Sequence, residues 1–183
     1  LSFSLQAASR SFTIEVMEPE LTFTGEPLEP GVRVYSGETG EPLAEDEYSV
    51  SYDENINAGT GLVLVEGQGS YAGLSQTAYF QILPKDLGAE DIFGNLSQNT
   101  FDYDGQPHLP DIVEIRYGER ALTPEVDYTW DPDPDPVSAG DKEIRIQGKG
   151  NYTGQMVLGY IIQPRGIELT SWDPIPEQKY NPE

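Results

Sequence analysis

The sequence predicts an all-β chain built as two tandem sandwich units of about 80 residues each. Three observations carry that expectation. Gly67-Gln68-Gly69-Ser70-Tyr71-Ala72-Gly73 returns as Gly148-Lys149-Gly150-Asn151-Tyr152-Thr153-Gly154, with three glycines and a tyrosine at the same spacing. The segments around both copies recur in the same order, which is how a repeat architecture announces itself in sequence. Short alternating runs bounded by turn residues are common, and no convincing 3.6-residue period interrupts them.

Taken in order, Ser11-Phe12-Thr13-Ile14-Glu15-Val16 alternates with a period of two and reads as a strand. Phe23-Thr24-Gly25-Glu26-Pro27-Leu28-Glu29-Pro30 is a turn-rich entry to the strand Val32-Arg33-Val34-Tyr35. Gly37 and Gly40 mark a hairpin-like connection. Tyr48-Ser49-Val50-Ser51-Tyr52 alternates cleanly, residues 53–59 form a polar loop, and residues 62–65 a short apolar strand. The glycine–tyrosine turn and the strand 77–82 complete the first unit.

About 80 residues later the order returns. Tyr103-Asp104-Gly105-Gln106-Pro107-His108-Leu109-Pro110 matches residues 23–30, with both prolines and the glycine in register. Residues 112–117 match the next strand across a short gap, and Asp127-Tyr128-Thr129-Trp130 answers Glu47-Tyr48-Ser49-Val50. Ala139-Gly140 answers Ala58-Gly59, residues 143–147 answer 62–66, and residues 159–162 answer 79–82. Pro84-Lys85-Asp86-Leu87 recurs as Pro164-Arg165-Gly166-Ile167, and Tyr180 reads as the opening of a third copy. The expected division is therefore 1–84 and 85–164, with 165–183 as a tail that starts a third copy. Residues 1–17 are alternatively the last strand of a preceding copy. Prolines beside the strands fit this picture, since they end pairing and blunt exposed edges.

Gly67, Gly69, Tyr71, Gly73, Gly148, Gly150, Tyr152 and Gly154 are the positions expected to define the fold. The glycines suit a connection where the backbone takes positive φ or comes close to another segment. The tyrosine buries a ring and keeps a hydroxyl that wants a partner, as in the tyrosine corner of a β-sandwich. A nucleotide-binding loop is disfavoured, because the spacing is Gly-x-Gly-x-x-x-Gly and no helical pattern follows.

Composition narrows the partners. Lys+Arg 10 against Asp+Glu 32 gives a formal net charge of −22. Nucleic-acid binding needs a basic footprint, and an anionic membrane surface repels a chain of this sign. Hydrophobic residues make up 37%, in short runs, so the composition is not that of a disordered chain. There is no cysteine, hence no disulfide framework and no thiol nucleophile. No apolar run is long enough to span a bilayer, so no membrane insertion is expected. Leu1-Ser2-Phe3-Ser4-Leu5 has neither an initiator Met nor a basic leader, which leads to the expectation of a fragment of something longer.

The order Phe-Thr-Gly…Pro, Glu47-Tyr48-Ser49-Val50-Ser51-Tyr52, Asn57-Ala58-Gly59-Thr60 and Gly-x-Gly-x-Tyr-x-Gly resembles the tandem immunoglobulin-like repeats of Gram-positive-type bacterial cell-surface proteins. The resemblance covers roughly residues 18–164. This chain departs from the pattern at Ser70 and Ala72, and at the Asp-Pro run 131–136. The resemblance implies immunoglobulin-like β-sandwiches in a surface-exposed stalk or adhesion module, placed outside the cell, on its surface or in its wall. It carries over no catalytic or ligand residues.

Candidates for chemistry each face a plainer reading. Asp131-Pro132-Asp133-Pro134-Asp135-Pro136 lacks the Gly and Glu of a calcium loop, having Pro136 and Lys142 at those places. Alternating proline favours an extended helix from which the carboxylates diverge, so a stiff solvated loop is expected and no metal site. Asp53-Glu54-Asn55-Ile56-Asn57 reads likewise as a turn. His108, the single histidine, reads as an exposed loop residue. Trp130 takes the phase of Val50 and reads as core, and Trp172 as the more exposed aromatic. Lys142 and Lys149 are weighed for an isopeptide bond to an Asn, with Lys149 better read as a turn residue. The expectation is a non-enzymatic, monomeric spacer without cofactors, whose partners are neighbouring repeats. The alternative is an adhesin module taking a glycan or protein ligand through loops at one sandwich end.

Overall fold

The computed structural model describes residues 10–166. They form an all-β fold in which two single-turn 3-10 segments, Glu45–Glu47 and Gly69–Tyr71, are the only helical elements. The first six strands are β1 (Phe12–Val16), β2 (Glu20–Thr22), β3 (Val32–Ser36), β4 (Tyr48–Asp53), β5 (Gly59–Gly67) and β6 (Ser75–Leu83). After Pro84 come β7 (Lys85–Asp86), β8 (Ile92–Leu96), β9 (Thr100–Asp102), β10 (Ile112–Tyr117) and β11 (Arg120–Ala121). The last four are β12 (Tyr128–Asp131), β13 (Gly140–Gly148), β14 (Tyr152–Thr153) and β15 (Gln155–Gln163).

Pairing divides the strands into two sets. In the first, β1 runs antiparallel to β3, and a second sheet has the order β2-β6-β5-β4. In the other, β11-β10-β8 and β12-β13-β15-β9 are the sheets, and β7 lies parallel to β14. Among the described residues no strand pair crosses Pro84. The second set repeats the first. β8 takes the place of β1 against β10, and β9 runs parallel to β15 as β2 does to β6. The recurrence in sequence is thus a recurrence in pairing.

Alternation explains which face turns inward. Along β5 the side chains of Val63 and Val65 are buried while Leu64 and Glu66 point out. Along β13, Lys142, Ile144 and Ile146 are buried while Glu143, Arg145 and Gln147 are exposed. β-branched residues pack well on a pleated surface, and each apolar side chain fully buried stabilises by about 1.5–3 kcal/mol. Val34, Val63, Val65, Phe80 and Ile82 build one part of the core, and Ile115, Ile144, Ile146, Tyr160 and Ile162 the other.

The alternating run at 11–16 forms β1, which pairs with β3 from Phe12↔Ser36 to Val16↔Val32. Lys85-Asp86 is a strand laid against the second glycine–tyrosine turn. Trp172, Tyr180 and the start of a third copy lie outside the described residues, as do residues 1–9.

Candidate functional site

The glycine–tyrosine turns are local devices first. Gly67 N donates to Leu74 O at 2.8 Å and Gly148 N to Gly154 O at 3.0 Å, closing each loop. A Cβ on Gly148 would lie 2.6 Å from Thr153 N, and one on Gly67 would collide with the Tyr71 carbonyl. Gly69 and Gly150 take φ of +51° and +64°, Gly73 and Gly154 +87° and +71°, where side chains are strained. The turn so made carries Tyr71 and Tyr152 inward, to 9% and 2% exposure.

The hydroxyls behave otherwise than the tyrosine-corner reading expects. Tyr152 Oη is buried with no hydrogen-bond partner among the described residues. The corner-type bonds come from other tyrosines: Tyr52 donates to Pro30 O at 2.6 Å and Tyr160 to His108 O at 3.0 Å. Burial pushes the pKa of Tyr52, Tyr152 and Tyr160 above the ordinary 10.0.

The second turn also does what the first does not. Its Tyr152 ring meets Phe23 of the first strand set edge to face, centroids 5.5 Å apart and planes at 76°. The Arg120 guanidinium lies 5.5 Å from the Phe23 centroid on the same ring. Asn151 reaches across with its whole carboxamide. Its Oδ1 accepts from Ala58 N at 2.8 Å, and its Nδ2 donates to Asn57 Oδ1 at 3.0 Å. Its main-chain oxygen accepts from Lys85 N at 2.9 Å, which ties β7 to the turn. Lys85 Nζ sits 4.8 Å over the Tyr117 ring and pairs with Asp91 at 2.7 Å. Phe23, Asn57 and Ala58 on one side and Asn151, Tyr152 and Arg120 on the other therefore form a joint around Pro84. In the first set, Tyr71 meets Phe12 at 6.4 Å and Arg10 at 5.7 Å instead.

The remaining candidates fall elsewhere. In the Asp-Pro run the carboxylates turn back on the chain. Asp133 accepts from Asp135 N at 2.9 Å and Glu143 N at 3.2 Å. Asp135 accepts from Ser138 N at 3.0 Å and Val137 N at 3.2 Å. The backbone bond from Ser138, first among its causes, lowers the Asp135 pKa from 3.8 to about 2. Among the described residues no three His, Asp or Glu side chains are grouped to hold a metal ion. Buried Lys142 lies 3.6 Å from Asp135.

His108 departs from its expected exposure. Its ring packs on Phe101 at 4.9 Å and its Nε2 lies 2.9 Å from Asp104 Oδ1. Trp130 departs in the opposite sense. It keeps the phase of Val50, opposite Ile146, but β12 is an edge strand and leaves it 38% exposed. With Leu109, Pro110, Pro124 and Tyr128 it lines an open groove of about 220 Å³, below the ~300–1,000 Å³ of small-molecule pockets.

No helix among the described residues is long and apolar enough to cross a membrane. Compared with known protein families and with curated proteins, the chain matches none.

Proposed function

We propose that the chain is a non-enzymatic spacer of an extracellular cell-surface or wall-borne protein, made of two immunoglobulin-like sandwich units in series. The single observation that carries this reading is the joint. A spacer must transmit length, and a bare linker of one proline would let the units hinge. Here an aromatic pair, a cation–π contact and a carboxamide bridge gather at the point where the chain passes from one unit to the next. Such contacts are individually modest, about 0.5–1.5 kcal/mol each. Together they are enough to favour one angle between two bodies that repel each other at a net charge of −22.

Small-angle scattering tests the reading. A compact globule of this length has a radius of gyration near ~16 Å. Units in series give a clearly larger radius and a long tail in the distance distribution. A radius close to ~16 Å would remove the physical basis of a spacer. The exposed Trp130 groove favours a second reading, an adhesin module whose loops stack a sugar ring. Quenching of Trp130 fluorescence on glycan titration, lost in Trp130→Phe, would support it.

A further inference from the structure

The Phe23 face that receives Tyr152 is built a second time, at the far end of the second unit. Phe23 N donates to Leu83 O at 2.8 Å, and Tyr103 N donates to Gln163 O at 2.9 Å. The Phe23 ring ends 3.9 Å from where a Cβ on Gly25 would stand, and the Tyr103 hydroxyl 4.0 Å from that of Gly105. Both glycines have positive φ, +89° and +80°. Asn57-Ala58 precedes Gly59 at φ +144°, and Ser138-Ala139 precedes Gly140 at +135°.

The two faces, alike in backbone, differ in cover. Phe23 is 0% exposed and Tyr103 is 39% exposed. Gly25 and Ala58 are half-buried where Gly105 and Ala139 are exposed. No described residue accepts a hydrogen bond from the Ala139 N–H, whereas Ala58 N has Asn151 Oδ1. The chain also leaves both faces through a proline followed by a basic residue, Leu83-Pro84-Lys85 in one case and Gln163-Pro164-Arg165 in the other.

We infer that the face formed by Tyr103, Gly105 and Ser138-Ala139 docks the glycine–tyrosine turn of a further unit, one that carries the Asn-Tyr pair of residues 151–152. This rests on the reading of the chain as units in series. The chemistry of the occupant follows from the filled joint. A tyrosine edge covers the Tyr103 ring, a carboxamide accepts from Ala139 N–H and donates to Ser138 Oγ, and a guanidinium caps the ring. The chain's own first turn is a poor occupant, which disfavours head-to-tail pairing of two copies. Ser70 stands at the place of Asn151. Glu41 stands at that of Arg120, by the matched bonds Leu43 N to Val34 O and Leu122 N to Ile115 O.

The test compares the 183-residue chain with an extended chain in which a second copy of residues 84–166 follows Gln163. Hydrogen exchange is read at the Ala139 amide, and urea midpoints are read for Tyr103→Ala, for Asn151→Ala in the appended copy, and for both together. The extended chain is expected to slow Ala139 exchange by at least ~10-fold. Tyr103→Ala should lower its midpoint about as much as Phe23→Ala does, with coupling between the two substitutions. In the 183-residue chain Tyr103→Ala should have little effect. Unchanged Ala139 exchange overturns the inference, and needs no variant to fold. So does a large effect of Tyr103→Ala already in the 183-residue chain, which would mean that residues 167–183 or a second copy cover the face. Failure of the serial reading is separate, since it appears as a compact radius in the 183-residue chain itself.

Discussion

Tyr152 invites a pair of substitutions of which only one should destabilise. Tyr152→Ala removes a ring that is 2% exposed and touches both Phe23 and Tyr117 edge-on. Truncations of this kind cost about 3–5 kcal/mol, of which each aromatic contact supplies about 0.5–1.5 kcal/mol. Tyr152→Phe keeps the ring and removes only the hydroxyl, which is buried without a described partner. Holding such a group out of water costs about 1–3 kcal/mol, so the substitution should be neutral or stabilising by up to that amount. Tyr52→Phe and Tyr160→Phe form the contrast. Their hydroxyls donate to Pro30 O and His108 O, and removing either strands a carbonyl at a cost of about 1–3 kcal/mol. Urea unfolding read as midpoint shifts at constant slope measures all four variants. A loss above about 1 kcal/mol for Tyr152→Phe would instead show that the hydroxyl has a partner.

Three further outcomes follow from charge and titration. The folded pKa of Asp135 is depressed to about 2, so its contribution is present above 3.8 and lost as pH falls through 2. Acid titration of the melting temperature should show that limb, and Asp135→Asn should flatten it. The buried tyrosines have raised pKa values, so their contribution holds below 10.0 and is lost at higher pH, where unfolded tyrosines ionise first. At a net charge of −22, moderate salt should raise the melting temperature by screening, with calcium adding nothing beyond its ionic strength. A rise specific to micromolar calcium would contradict the account of the Asp-Pro run.

The sequence announces the glycine–tyrosine turns because their requirements are local. Positive φ at Gly150 and a close backbone approach at Gly148 need glycine whatever lies around them. The all-β fold is legible for the same reason, since alternation in β5 and β13 is written residue by residue. What escaped depends on distant partners. The place of β1 beside β3 is set by pairing across a loop, and Trp130 has the right phase on a strand that turns out to be an edge. The joint is the clearest case. Asn151 reads as an ordinary turn residue until Asn57 and Ala58, 94 and 93 positions away, are brought to it. A faint signal existed in the departure of the first copy at Ser70, where no joint contact is made by the side chain, which bonds Glu47 instead.

The proposed arrangement of two units in series about a fixed joint fixes the distance between their outer tips. The chain has no cysteine, so Glu38→Cys and Gln106→Cys place two spin labels at exposed turns without further change. β5 and β13 are each 9 residues long, about 30 Å at the usual rise per residue. Pulsed electron resonance should therefore give one narrow distribution near roughly 60 Å, broadened when Asn151→Ala and Phe23→Ala loosen the joint. A distribution centred within about 30 Å would place the units side by side and contradict the account.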